Sequence, residues 1–135
     1  MDGSDIHAVS LAVLSNGRFL LVRRGHAPAK GLFAFPGGRV QDGEDAEAAV
    51  RRELHEETGL TAGEIALFRE ISITTESGQR YRLEVFRADK VKGAAMAGDD
   101  ADLVGWYTID EMRALPVTAS TVEIAGDMLA LCVSS

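Results

Sequence analysis

The sequence predicts an α/β protein, more narrowly an α+β protein, and three observations support that class. Runs rich in valine, leucine and alanine are bounded by turn signals, helical segments separate some of these runs, and 135 residues suit one hydrophobic core. Hydrophobic residues make up 46% and charged residues 26%, which excludes a disordered or fibrous chain. We expect a single domain over residues 1–135.

The first two strands are expected to form a hairpin over residues 7–14 and 18–22. Ser15-Asn16-Gly17 between them is a turn signal. A short strand is predicted over residues 33–35, and Pro36-Gly37-Gly38 should end it, because proline lacks an amide donor and glycine permits a positive φ. We therefore expect the chain to turn sharply there.

The strongest helix prediction covers Ala46–Thr58. Asp45 precedes it and can accept a hydrogen bond from the first turn, while alanines fill that turn. Gly59 directly after Thr58 is typical of a left-handed helix stop.

The second half of the chain alternates strands and helices in the same way. Thr108 and Glu111 have the spacing of a capping box and should open a short helix. The other predicted elements are strands over residues 65–75, 81–88 and 103–107, a Glu76-Ser77-Gly78-Gln79 turn between the first two strands, and an amphipathic helix over residues 120–131.

Charge and cysteine content exclude several function classes. The 14 Lys and Arg against 21 Asp and Glu give a net charge of -7, which argues against nucleic acid or an anionic membrane as a partner. The single cysteine, Cys132, excludes an internal disulfide and a thiolate metal cluster. No apolar stretch approaches the roughly 18 residues of a membrane span, and no export signal is recognisable. We expect a cytoplasmic protein.

Three carboxylates, Glu53, Glu56 and Glu57, lie three and four residues apart on the predicted helix, within an arc of roughly 100°. A solvated acidic face is the ordinary interpretation, but like charges at this spacing repel, and they also meet the negative end of the helix dipole. A hard divalent cation removes both objections, because Mg²⁺ and Mn²⁺ take oxygen ligands. Arg52 can fix Glu56 or meet Glu44 as a supporting partner.

The same segment resembles a known family. Its pattern runs from Gly38 through Glu44 to Arg52-Glu53-Leu54-His55-Glu56-Glu57-Thr58-Gly59-Leu60, which looks like a complete Nudix box. Residues 20–24 and 31–38 precede the box in the manner of Nudix hydrolases. The Gly25-His26-Ala27-Pro28 and Gly98-Asp99-Asp100-Ala101-Asp102 segments, with Trp106, are similar to a bacterial subgroup described as ADP-ribose pyrophosphatase-like.

The resemblance implies a mixed sheet between helices, with the box as a loop, a helix and a loop. It further implies hydrolysis of a nucleoside diphosphate linked to another group, dependent on Mg²⁺ with Mn²⁺ as a substitute. By the family pattern, the metal ligands are Glu53, Glu56, Glu57 and the carbonyl of Gly38, and the catalytic set is Glu53, Glu56, Arg52 and Glu44. A small-molecule nucleotide derivative is the implied partner, and a homodimer is compatible with the family.

Two sets of residues have open roles. The general base is a box carboxylate, Glu56 or Glu53, or an acid of the later loop, Asp99, Asp100 or Asp102. The candidates for substrate contact are Arg23, Arg24, Phe35, Arg82 and Asp100, although an arginine at a strand edge and a buried aromatic are also common structural residues.

The substrate also has alternatives. Glu76 stands where typical ADP-ribose hydrolases carry a proline beyond the box. A nucleoside triphosphate, the substrate of mutator-type enzymes, is therefore an alternative substrate. A noncatalytic nucleotide-binding module on the same fold is the third interpretation. The intact set of Glu53, Glu56 and Glu57 argues against it, because a pure binder has no need to keep these acids together.

Overall fold

A computed structural model describes residues 5–25, 29–96 and 101–134, apart from the side chains of residues 101, 102 and 132–134. The strands in these ranges are β1 (Ile6–Ser15), β2 (Arg18–Arg24), β3 (Phe33–Ala34), β4 (Gly37–Arg39), β5 (Thr61–Ala62), β6 (Ala66–Thr74), β7 (Arg80–Ala88), β8 (Val91–Lys92) and β9 (Ala101–Tyr107). The helices are α1 (Ala46–Thr58), α2 (Ile109–Ala114) and α3 (Ala119–Ser134).

Seven of these strands form one mixed sheet in the order β3-β2-β1-β7-β6, with β4 also paired to β1 and β9 to β2. β1 and β7 are parallel, and the other pairings in this sheet are antiparallel. β5 and β8 form a separate two-stranded ribbon. This arrangement confirms the predicted α+β class.

Alternation along β1 divides the core between the two faces of the sheet. Val9, Leu11 and Val13 pack on the face covered by α1, together with Val50 and Leu54 of that helix. The opposite face packs against α2 and α3, through residues that include Ala12, Phe19, Phe35, Met112, Ile124 and Met128. The sheet is therefore a central layer with helices on both sides.

The hairpin between β1 and β2 forms as predicted. Leu14 lies opposite Phe19, and Asn16 and Gly17 take φ angles of 54° and 76°. Two successive positive φ angles are the geometry that an Asn-Gly turn favours, because it matches the twist of the flanking strands.

The chain bends at Pro36 as predicted, but the two glycines after it form a strand and not the turn. Gly37 and Gly38 belong to β4 and pair with Ser10 and Val9 of β1. Neither glycine is among those with a positive φ. A Cβ on Gly37 would lie 2.7 Å from the Ser10 Cα, so glycine is needed here for close approach between backbones.

The ends of α1 form as predicted. The Asp45 carboxylate accepts a hydrogen bond from the Ala48 amide at 2.8 Å, and Gly59 takes a φ of 75° while its amide donates to the His55 carbonyl. The capping box at Thr108 and Glu111 is also present at the start of α2. The two-residue strands β5 and β8 were not predicted, because they are too short to show periodicity.

Replacement of Asp45 by alanine should lower the free energy of unfolding by about 1 kcal/mol, because the Ala48 amide loses its acceptor. Chemical denaturation measures this change. The Asp45→Asn variant keeps an acceptor oxygen and should recover most of the loss. An alanine variant as stable as the original chain would show that the cap contributes nothing.

No helix in the described parts of the chain is long and apolar enough to cross a membrane.

Candidate active site

The centre of the candidate site is Arg52, whose guanidinium uses every donor it has. Nε and Nη2 donate to the two oxygens of Glu44 at 2.7 and 3.0 Å, and Nη2 also donates to the Arg39 carbonyl at 3.1 Å. Nη1 donates to Glu53 at 3.2 Å and to Glu56 at 3.1 Å. A guanidinium carries five N–H groups, so no donor remains for a substrate.

The bidentate pair with Glu44 joins the loop before α1 to the helix. Glu44 also accepts from the Gln41 amide at 2.9 Å. The Arg52 hydrogen bonds, followed by that amide, lower the pKa of Glu44 to about 2. The Glu44 bonds in turn raise the pKa of Arg52. Glu44 therefore stays ionised and holds the loop against the helix.

Glu57 is the most deeply buried acid of the cluster, with 7% of its surface exposed. Its Oε1 accepts from the Gly37 amide of β4 at 3.2 Å. Burial, followed by the hydrogen bond and charge of Glu53, raises the pKa of Glu57 from 4.5 to about 9. The Gly37 amide and the nearby Arg24 guanidinium oppose this shift.

Glu53 lies directly against β4. A Cβ on Gly38 would overlap the Glu53 carboxylate, 2.5 Å from its Cδ. Burial also raises the pKa of Glu53, although its bonds to Arg52 and Glu57 act in the opposite direction. The absent side chain of Gly38 therefore provides the space that the Glu53 carboxylate occupies.

The three glutamates share one arc of the helix but differ in how much of each is exposed to solvent. The side chain of Glu56 is 45% exposed, whereas that of Glu53 is 13% exposed and Glu57 is buried. Within the described residues, no group of three or more His, Cys, Asp or Glu side chains is arranged so that it could hold a metal ion without rearrangement. Arg52 draws Glu53 and Glu56 to itself, and Glu57 is directed to the Gly37 amide.

The donor chemistry of this cluster fits a hard divalent cation. Burial raises the pKa values of two adjacent carboxylates, the partly buried Glu53 and the buried Glu57, and the positive charge nearby does not compensate for it. A cation supplies that charge, and carboxylate and carbonyl oxygens are the ligands that Mg²⁺ and Mn²⁺ prefer.

Comparison with known proteins decides the family. Residues 5–128 match the family model described as NUDIX domain. The chain belongs to the Nudix family. This Nudix chain is 35% identical, over 109 residues, to the ADP-ribose pyrophosphatase of Methanocaldococcus jannaschii. That match covers 80% of this chain and 64% of the archaeal protein, so the chain spans a little less than two thirds of that relative.

Other relatives match this Nudix chain over nearly their whole length. The CTP pyrophosphohydrolase of Escherichia coli is 27% identical over 129 residues, which cover 93% of both chains. The crystal structure of a MutT NUDIX hydrolase from Burkholderia pseudomallei has a TM-score of 0.83 at 28% identity, and the match covers 90% of this chain and 95% of that one. The predicted family resemblance and Nudix fold are thereby confirmed.

The candidate substrate residues of this Nudix domain lie in different surroundings. Arg24 is close enough to influence Glu57. Phe35 is 5% exposed and packs against Phe19, with ring centroids 6.1 Å apart, so it belongs to the core. Arg82 donates to Glu70 at 2.9 Å on an exposed part of the sheet. Arg23 is on β2, where it lies opposite Phe33 of β3.

The acids of the later loop cannot all be placed. Asp99 and Asp100 lie outside the described residues, as does the side chain of Asp102. The described residues on either side of this loop are near the Nudix helix and the strand that carries Arg24. The Met96 amide donates to the Thr58 carbonyl at 2.9 Å, and Ala101 pairs with Arg24.

A pocket of about 490 Å³ has none of Glu53, Glu56 and Glu57 in its lining. It is lined by Ser15, Asn16, Arg18, Leu60, Val91, Gly93, Ala95 and Trp106. Although this pocket contains the single tryptophan, the acidic cluster offers the chemistry, and we place the candidate active site at the cluster.

Three groups that form hydrogen bonds at the candidate site could not be predicted from the pattern of side chains in the sequence. They are the Gly37 amide that binds Glu57, the Arg39 carbonyl that binds Arg52, and the Thr58 carbonyl that binds Met96. All three are backbone groups. Only the spacing of the Nudix box could have indicated the first, because it places Gly37 next to Gly38.

Proposed function

We propose that this chain is a Mg²⁺-dependent pyrophosphohydrolase that cleaves the diphosphate of a nucleoside diphosphate linked to another group. The observation that carries the proposal is a pair of adjacent carboxylates, the buried Glu57 and the partly buried Glu53, held against β4 beside Arg52, whose donors are all used. Repulsion between such acids makes the arrangement unfavourable without a cation, and the nucleotide pyrophosphohydrolases among its relatives indicate the reaction.

Glu53, Glu56, Glu57 and the Gly38 carbonyl would hold the metal, with Mn²⁺ as a substitute for Mg²⁺. A bound divalent cation supplies positive charge that polarises a phosphoryl oxygen, lowers the pKa of water and offsets charge on the leaving phosphate. The chain supplies the positions of the ligands. Gly37 fixes Glu57 through its amide, and Gly38 leaves room for Glu53.

Arg52 and Glu44 are proposed as positioning residues. Because all five Arg52 donors are used within the protein, its charge orients Glu53 and Glu56 and does not bind substrate directly. A phosphate group therefore needs another cation, and Arg24 is the best placed of the candidates because its charge already acts on Glu57.

A carboxylate takes the proton of the attacking water. Glu56 is the better placed of the two box candidates, because it is the more exposed and touches only Arg52 among the interactions described. The acids Asp99, Asp100 and Asp102 are the competing set. Substitution of Asp99, Asp100 or Asp102 by asparagine tests the loop acids, since loss of the base removes the rise of turnover with pH.

Two substrate classes have support. The archaeal relative is an ADP-ribose pyrophosphatase, which favours an ADP-ribose-like substrate. The relative that matches over 93% of both chains is a CTP pyrophosphohydrolase, which favours a nucleoside triphosphate. We place the ADP-ribose-like substrate first and the nucleoside triphosphate second. The proposal treats residues 1–135 as one domain that acts in the cytoplasm on a small molecule, as a homodimer and without nucleic acid.

The purified chain should hydrolyse at least one member of a panel of ADP-ribose, NADH, dinucleoside polyphosphates and nucleoside triphosphates in the presence of Mg²⁺. ADP-ribose should yield AMP and ribose 5-phosphate, whereas a triphosphate should yield a monophosphate and pyrophosphate, so chromatography of the products identifies the class. Excess EDTA should abolish turnover, and added Mg²⁺ should restore it.

The Glu53→Gln variant, purified in the same way, controls for contaminating hydrolases. Binding of a panel nucleotide without any product, at saturating Mg²⁺ or Mn²⁺, would instead establish the noncatalytic nucleotide-binding module.

A further inference from the structure

Thr58, the last residue of α1, is fully buried although it is polar. Buried hydroxyls are normally hydrogen-bonded, and this one makes two bonds. Oγ1 donates to the Leu54 carbonyl at 2.6 Å and accepts from the Leu60 amide at 3.1 Å. The hydroxyl therefore joins the last turn of the helix to the chain that leaves it.

A third bond connects the same residue to a distant segment. The Thr58 carbonyl, one of the carbonyls left without a partner at the helix end, accepts from the Met96 amide at 2.9 Å. Gly93 packs beside it, since a Cβ there would lie 3.3 Å from the Gly59 carbonyl oxygen. The segment after β8 thus runs along the C-terminal end of α1.

These contacts act at the residue next to Glu57. The Gly37 amide fixes the Glu57 carboxylate. The hydrogen bond from the Thr58 hydroxyl to the Leu54 carbonyl fixes the backbone next to Glu57. Neither bond of the hydroxyl is needed for the helix itself, because Asp45 and Gly59 already cap its two ends.

We propose that Thr58 is a positioning residue for the metal centre: its hydroxyl holds the last turn of α1 to Leu60, its carbonyl holds the segment around Met96, and together they keep Glu57 in place. The inference rests on the metal site proposed above. Residues that orient metal ligands without touching the metal commonly change metal affinity by about 10-fold or more when replaced.

The test is Mn²⁺ binding to the metal-free protein, measured by the electron paramagnetic resonance signal of free Mn²⁺. The Thr58→Val variant keeps the shape of the side chain and loses both hydroxyl bonds, so its dissociation constant should rise about 10-fold. Thr58→Ser restores the hydroxyl and should return the constant to within about twofold of the original value.

Thr121→Val is the matched control for general destabilisation. Thr121 is also buried, and its hydroxyl bonds to that of Thr118 at 2.7 Å near the start of α3. This variant should melt at a lower temperature and bind Mn²⁺ as the original chain does. An equal loss of affinity in Thr121→Val, or a Thr58→Val variant with unchanged affinity, would overturn the role of Thr58.

A second pair of variants tests the hydrogen bond between the Met96 amide and the Thr58 carbonyl. Met96→Pro removes the amide that donates to Thr58, and Met96→Ala retains it; Met96 as a residue is 65% exposed. Only the proline variant should weaken Mn²⁺ binding, and equal affinities for the two would refute the link to this segment. If the original chain binds no Mn²⁺, or binds it equally after Glu57→Gln, the metal site itself is wrong, which separates the two proposals.

Discussion

Replacement of Glu57 by glutamine is expected to lower turnover by about a thousandfold and, in the metal-free protein, to raise the melting temperature. Turnover falls because glutamine removes the negative charge of a proposed metal ligand while keeping the size of the side chain. Stability rises because the original carboxylate is buried beside Glu53, where ionisation is unfavourable.

The stability difference should depend on pH in a defined direction. In the folded chain the pKa of Glu57 rises from 4.5 to about 9, so the fold favours the protonated form. An acid of this kind destabilises the fold progressively as the pH rises above its unfolded pKa, and the effect is complete above its folded pKa. The variant should therefore melt close to the original chain at pH 4.5 and above it by at least about 5 °C at pH 8.

Calorimetry of both proteins in EDTA, from pH 4.5 to pH 8, measures this difference. Glu123→Gln, at an exposed position of α3, is the matched control and should change neither turnover nor melting temperature. Saturating Mg²⁺ should reverse the order at pH 8, because only the original chain gains the full stabilisation from the ligand. A metal-free Glu57→Gln variant that melts lower at pH 8 would contradict the burial argument.

The Gly38→Ala variant should retain its fold and lose about 99% of its turnover. The added Cβ would overlap the Glu53 carboxylate, which can move away because it is the end of a flexible side chain. Displacement of a ligand by about 1 Å is enough to reduce catalysis by about 100-fold.

Two other glycines provide the comparison. A Cβ on Gly37 meets backbone atoms of Val9 and Ser10, which cannot move aside, so Gly37→Ala should lose stability as well as turnover. A Cβ on Gly126 meets nothing within 4 Å, and Gly126→Ala should stabilise α3 by about 0.5–1 kcal/mol. Circular dichroism and turnover of the three variants measure these effects; a fully active Gly38→Ala variant would show that Glu53 has no fixed position.

Local signals predicted the elements that local interactions determine. Asp45 and Gly59 marked both ends of α1, and Asn16 and Gly17 marked the first hairpin. The strand β4 escaped prediction because its glycines pair with β1, about 30 residues earlier in the sequence. A proline followed by two glycines indicates a turn from local chemistry alone, whereas close backbone approach depends on a strand that the pattern does not identify.

The same distinction applies to the site. Helical spacing placed Glu53, Glu56 and Glu57 in one arc. Glu44 and Glu56 were correctly predicted as partners of Arg52, whereas its bond to Glu53 was not. It could not predict that Glu57 is buried and Glu56 exposed, because that depends on where β4 lies against the helix. The roles of these residues stay predictions until the variants above are measured.

The bond between Gly37 and Glu57 has a consequence for protein engineering. A peptide that contained only residues 38–60 would include the residues that cap α1 and those that form the Arg52 bonds to Glu44, Glu53 and Glu56. It would lack the amide that fixes Glu57 and the strand β1 that holds β4 in place. The motif therefore cannot be transferred alone. Grafting it into another scaffold requires a host strand that pairs with β4 as β1 does.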